Sequence, residues 1–192
     1  MLLSRSLKLA VLGLAVMVAG CDRQSGDKAQ PPATTAANTA PAADAQVGAL
    51  DTSHKGSPLP AFTLSDAAGH KLALGELKGK PLLINLWATW CAPCVAELPQ
   101  LDSLAGSGNL RVLAVSQDMG DGAKVADFLK QRGVSRLEPW LDPQNDLAAH
   151  FGANTLPMSV FYDAEGNEVW RTNGPRDWAS AETTKLLGES AN

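Results

Sequence analysis

Leu82 to Trp87 reads LLINLW, and only three residues later the chain reaches Trp90-Cys91-Ala92-Pro93-Cys94. An apolar run of that length, almost uninterrupted, is what a strand needs when both of its faces are covered. Two intervening residues then place both sulfurs on the first turn of the following helix, close enough to join as a small disulfide ring. A helix start presents unpaired N–H groups and a partial positive charge, both of which favour a thiolate. Cysteines so placed ionise below the free value of about 8.5. Pro93 suits a position where no N–H is needed, and it stiffens the ring. Cys91, at the helix tip, is therefore the expected nucleophile, and Cys94, one turn inside, the group that resolves the mixed disulfide.

Other roles for the pair fit poorly. A closed zinc site needs about four ligands, and the chain has three cysteines and three scattered histidines, His54, His70 and His150. No metal is expected, and no cofactor beyond the Cys91–Cys94 disulfide itself. As a purely structural crosslink, so short a ring would constrain little chain.

The third cysteine has its own context. Met1 to Lys8 carries Arg5 and Lys8 and no acid, and Leu9 to Val18 (LAVLGLAVMV) is apolar. That run is shorter than the roughly 20 residues of a membrane span and matches the core of a signal peptide. It ends in Val18-Ala19-Gly20-Cys21, which resembles a bacterial lipobox. The resemblance implies cleavage before Cys21, lipid on its sulfur, and an anchored protein. Asp22 resembles the residue that retains some lipoproteins in the inner membrane. The expected divisions are a signal peptide over residues 1–20, a lipid-anchored disordered linker over 21–54, and one domain over 55–190. The linker is rich in Ala, Thr, Pro and Asn, and residues 24–46 hold no large apolar side chain; such a segment cannot offset its chain entropy by burial.

The net charge of −4 and the lack of a basic run argue against a nucleic-acid partner. Within the domain, Ala61-Phe62-Thr63-Leu64 and Lys71-Leu72-Ala73-Leu74 flank a turn and predict a hairpin. Leu110 to Val115 predicts a buried strand, and Val125, Phe128 and Leu129 stripe a helix that stops at Gly133. Asp142-Pro143 predicts an N-cap and first residue of a further helix ending at Gly152. Val160-Phe161-Tyr162 and Glu168-Val169-Trp170 predict a second hairpin, and a last helix is expected from about Asp177 to Leu187. These elements describe an α/β domain: a central mixed β-sheet with helices on both faces and an added N-terminal hairpin.

Asn85-Leu86-Trp87-Ala88-Thr89-Trp90-Cys91-Ala92-Pro93-Cys94, followed by Glu97 and Pro99, resembles the TlpA/ResA-like branch of thioredoxins. Leu156-Pro157 and Gly174-Pro175-Arg176-Asp177-Trp178 belong to the same likeness. The resemblance implies a thioredoxin-like fold and an envelope thiol-disulfide oxidoreductase on the periplasmic face of the inner membrane, expected as a monomer. It implies protein clients with cysteine pairs, either apocytochrome c or the copper-centre cysteines of a terminal oxidase and its assembly factors. It also implies a membrane electron donor of the DsbD type. A reductase is expected. A dithiol oxidase is the nearest alternative, and a copper metallochaperone is a further one, with Met158 as a conceivable extra ligand.

The same resemblance assigns residues. Pro157 matches the cis-proline site, with the Leu156 backbone presented to an extended substrate, and Trp90, Ala92 and Pro93 complete the docking face. Glu97 shares a helix face with Cys94. Spacing alone leaves it either an exposed glutamate at a helix start or a buried proton acceptor, and the resemblance favours the acceptor. Asn85 stands where thioredoxin carries a buried acid, a departure that shifts proton handling toward Glu97.

Overall fold

The computed structural model describes residues 48–191. The expected signal peptide, Cys21 and most of the expected linker lie outside the described residues. In chain order the elements are β1 (Leu50–Asp51), β2 (Thr63–Ser65), β3 (Lys71–Ala73), a 3-10 turn (Leu74–Glu76), β4 (Leu82–Trp87), α1 (Ala92–Ala105), β5 (Arg111–Ser116), α2 (Gly122–Gln131), β6 (Trp140–Leu141), α3 (Asp146–Phe151), β7 (Met158–Tyr162), β8 (Glu168–Asn173) and α4 (Ala181–Ser190). The strands form one sheet in the order β1-β8-β7-β4-β5-β6-β2-β3. The pairs β4–β5 and β5–β6 are parallel, and the other pairs are antiparallel. This is a mixed sheet of the thioredoxin-like kind.

All six residues of β4 are buried, and their alternation divides the core. Leu83 and Trp87 point to a cluster with Cys94, Leu98 and Leu101 of α1, Val125 and Leu129 of α2, and Leu187 of α4. Leu82, Ile84 and Leu86 point the other way, to Leu147 and Phe151 of α3 and to Leu64 and Leu74 beside the N-terminal hairpin. Both faces are thus covered, and a one-residue slip would exchange the two sets. Each fully buried leucine contributes about 1.5–3 kcal/mol, so β4 is the best-determined strand of the sheet. Its carboxyl end delivers the chain to Cys91.

Two helix starts differ from the sequence expectation, and two short strands gave no signal in it. Asp142 does not start α3. The chain turns at Pro143, Asn145 takes a left-handed conformation (φ 58°), and α3 begins at Asp146. Asp142 still caps it from a distance, because its carboxylate accepts from the backbone N–H of Asp146 and Leu147 at 3.0 Å each. The last helix begins at Ala181 with Ser180 as its cap, while Asp177 folds into the preceding loop. The two-residue strand β6 carried no periodic signal. Finally, order begins before residue 55: β1 pairs with Thr172 and Arg171 of β8. Gly48 packs so closely that a Cβ there would meet the Asn173 carbonyl oxygen at 2.1 Å. Leu50 and Asp51 are both exposed, so nothing in their hydropathy distinguishes them from a linker.

Candidate active site

Cys91 caps α1 from an extended conformation, and its Sγ accepts from the Cys94 N–H at 3.3 Å. The two cysteines are joined as a disulfide with Cα atoms 5.3 Å apart. Both belong to the helix-side core, yet they are unequal: Cys91 is 6% exposed and Cys94 1%. An incoming group therefore reaches Cys91 first.

The turn before Cys91 is held by a clasp. Thr89 donates to Asp118 through its backbone N–H (2.9 Å) and its hydroxyl (2.6 Å), and the Ser116 hydroxyl donates to the same carboxylate at 2.7 Å. This ties the β4–α1 turn to the carboxyl end of β5. It leaves Trp90 outside, 71% exposed. Asp118 gives no signal in the sequence, because Thr89, the partner it ties to β5, lies 29 positions away in the chain.

On one side of Cys91 lies a cleft of about 760 Å³. Trp90, Cys91, Ala92 and Pro93 form one wall, and the others come from Gln117 and from α3 and the loop after it, through Leu156. The Leu156–Pro157 peptide bond is cis. Pro157 is buried, and its carbonyl accepts from Gly174 at 2.8 Å. Met158 turns to the opposite core cluster and is fully enclosed. The expectation that it stands ready as an extra metal ligand is thus corrected: strand alternation after Pro157 carries it away from the cysteines. Among the described residues, no group of three His, Cys, Asp or Glu side chains is gathered to hold a metal.

The other side of α1 is more closed: a hollow of only about 280 Å³ borders Pro93, Glu97, Gln100 and Arg176, and Glu97, Arg176 and Trp178 are buried. Glu97 belongs to the buried stripe of α1 that includes Cys94. Its Oε1 accepts from the Arg176 backbone N–H, and its buried Oε2 has no hydrogen-bond partner. Burial pushes its pKa from the ordinary 4.5 up to about 7, against the opposing pull of the Arg176 N–H, of Trp178 and Asn85, and of the Arg176 charge. The Trp178 indole N–H is likewise buried without a partner; it lies near enough to favour the ionised carboxylate but completes no hydrogen bond in this state. Gln100, one turn along α1, secures the same loop. Its amide donates to Asp177 at 3.1 Å and accepts from the Trp178 backbone N–H at 2.9 Å. Asn85 lies beneath, donating to the Ser159 hydroxyl at 3.0 Å.

The structure thus brings Cys91, Trp90, Ala92, Pro93 and Leu156 around one cleft, keeps Cys94 enclosed behind Cys91 and Pro157 buried next to Leu156, and sets Glu97 and Asn85 behind α1. Sequence reasoning missed Gln100 and gave no role to Arg176 or Trp178. The signal for Gln100 was its spacing of three from Glu97. No local signal placed Arg176 against a residue 79 positions away.

A mixed sheet that delivers a two-cysteine turn to the start of a packed helix, with a cis-proline strand beside it, defines a thioredoxin-like domain with a dithiol–disulfide centre. The chain belongs to the Redoxin family, which its residues 54–187 match. It is 32% identical over 117 residues to the thiol-disulfide oxidoreductase ResA of Bacillus anthracis, covering 59% of this chain and 66% of that protein. It is 33% identical over 112 residues to the thiol:disulfide interchange protein DsbE of Pseudomonas fluorescens biotype C, covering 58% and 62%. The chain therefore spans a little under two thirds of the length of these relatives. Among solved structures, the exposed lipoprotein thioredoxin Etrx1 of Streptococcus pneumoniae strain TIGR4 superimposes with a TM-score of 0.58 at 28% identity, covering 67% of this chain and 98% of that one.

Proposed function

We propose that this protein is a thiol-disulfide oxidoreductase of the cell envelope that works as a reductase, keeping client cysteine pairs reduced for cytochrome c or copper-centre assembly. The observation that carries this reading is the unequal pair at the start of α1, with Cys91 reachable, Cys94 enclosed and a high-pKa carboxyl nearby. In the reduced protein the Cys91 thiolate attacks one sulfur of a client disulfide, forming a mixed disulfide and releasing the first client thiolate. Glu97 takes the Cys94 proton, and Cys94 then attacks Cys91 Sγ, releasing the second client thiol and closing the ring. Two electrons pass to the client. A membrane donor of the DsbD type restores the dithiol.

Leu156 presents its backbone to the client beside Pro157, while Trp90, Ala92 and Pro93 shape the face that meets it. The family and the names of the relatives support thiol-disulfide exchange. The lipobox-like sequence ending at Cys21 supports attachment through lipid to the periplasmic face of the inner membrane, as does likeness to a structure described as an exposed lipoprotein. The domain acts as a monomer. An oxidase would run the same steps in reverse, and the potential decides between them.

The test is to equilibrate the domain with glutathione or dithiothreitol buffers. A midpoint near the thioredoxin value of about −270 mV is expected, whereas one near −120 mV would replace reductase by oxidase. Cells expressing Cys94→Ala should accumulate Cys91-linked clients that contain cysteine pairs; if none is recovered, the client-reductase reading fails.

A further inference from the structure

We propose that the cleft beside Cys91 selects clients by a bulky uncharged side chain next to the attacked cysteine, seated on Ala148, Ala149 and Ala153 against Trp90; this rests on the dithiol-exchange reading. No Asp, Glu, Lys, Arg or His lines the cleft. Three alanines make much of its far side, while Asn145, Asn154 and Thr155 supply neutral polar groups for a peptide backbone. A charged side chain entering such a place leaves water and meets no opposite charge, which is costly; an apolar one gains by burial.

The rim points the same way. Among the described residues three large apolar side chains stand exposed, and two of them are Trp90 and Met119, the latter 82% exposed. Each follows directly on a member of the Thr89–Asp118 clasp, so the clasp holds both at the carboxyl ends of β4 and β5, the end of the sheet that carries the redox centre. Exposed apolar groups concentrated at one site mark a surface that meets a partner. The protein's own linker is a poor occupant, because residues 24–46 contain no large apolar side chain.

The test uses short peptides, each with one cysteine linked as a mixed disulfide to 5-thio-2-nitrobenzoate, and with Leu, Phe, Ser, Glu or Lys after the cysteine. Reduced protein, freed of dithiothreitol and in excess, supplies two electrons once: its dithiol becomes a disulfide, and the nitrobenzoate and peptide thiols are released. The Leu and Phe peptides should react with second-order rate constants at least about tenfold above those of the Ser, Glu and Lys peptides. In Ala149→Asp, at an exposed position, the order should change, with the Lys peptide gaining and the Leu peptide losing. Met119→Ser should lower the rate constants for the Leu and Phe peptides. Equal rates for all five peptides, or faster reaction of the charged ones, overturn the inference while leaving dithiol exchange intact. Reaction of the Leu peptide that falls as protein concentration rises, with a dimer in sedimentation, assigns the surface to a second copy and also overturns it. Failure to reduce any peptide and free dithiobis-nitrobenzoate alike overturns the dithiol reading itself.

Discussion

The two flanks of α1 near the disulfide are built from opposite materials. The Trp90 flank is open, holds no charged lining residue and is floored by alanines. The Glu97 flank has only a hollow of about 280 Å³, with Glu97, Arg176 and Trp178 all buried and Gln100 fastening the loop beside them. Cys91 faces the first and Cys94 shares the helix stripe of the second. Client recognition and proton handling can therefore be separated in space, although they meet at two sulfurs in one ring. An open cleft could not hold a carboxyl near neutrality, because water would return Glu97 to its ordinary range. The hollow beside Glu97, about 280 Å³, is much smaller than the cleft of about 760 Å³.

The largest effect should come from the sulfurs, where the two flanks join. Cys91→Ser should abolish reduction of insulin disulfides with the fold intact by circular dichroism; retained activity would remove the division of labour at its root. Next comes Glu97→Gln, which keeps an acceptor for the Arg176 N–H but cannot take a proton. Resolution of the mixed disulfide should slow by roughly 100-fold. The rate in the wild type should rise with pH through about 7 as Glu97 becomes the ionised base, and that limb should vanish in the variant. Stability carries the matching sign. The folded pKa of about 7 lies above the ordinary 4.5, so the fold favours the neutral carboxyl. Its contribution is complete below about 4.5 and is lost as pH rises through about 7, by something on the order of 3 kcal/mol. Urea titrations of the oxidised protein should show that fall in the wild type and not in Glu97→Gln.

The open flank was far more legible in the sequence than the closed one. Leu82 to Trp87 announces itself because burial on both faces leaves no polar positions to blur the run. The spacing of Cys91 and Cys94 dictates their place on a first turn whatever surrounds them. Pro157 was legible only through likeness to a known pattern, since a lone proline says nothing about what it faces. The closed flank depends on contacts made across the fold. Glu97 could be suspected from its spacing to Cys94, but its burial arises from a loop that ends the sheet. In the sequence alone, that loop reads as the beginning of a helix at Asp177. The same physics explains the other displaced boundary. Asp142 looks like an adjacent cap, yet it reaches helix amides across a turn made possible by the left-handed Asn145, and a carboxylate caps as well from there.

Trp178→Phe probes the closed flank more gently. Removing the indole N–H takes away a group that favours ionised Glu97, so the alkaline-rising limb of the resolution rate should move to higher pH. A merely structural role for Trp178 would lower stability and leave the limb where it is. Stopped-flow release of a fluorescent thiol from the Cys91 mixed disulfide, followed from pH 6 to 9, reads the limb directly.

The smallest effect tests whether the flanks are independent. Thr89→Val keeps the shape of the side chain but deletes the 2.6 Å hydrogen bond to Asp118, leaving the backbone N–H on the same carboxylate. A single hydrogen bond to a charged acceptor suggests a loss of about 1–2 kcal/mol in denaturant titrations. Loosening the clasp frees Trp90, so KM for a protein client should rise a few-fold. The limb set by Glu97 should stay in place, since no contact of Thr89 reaches the loop over that carboxyl. If the limb moves together with KM, the helix start transmits strain from one side to the other. Binding a client would then tune the base that completes its reduction, and recognition and proton transfer would be one coupled step.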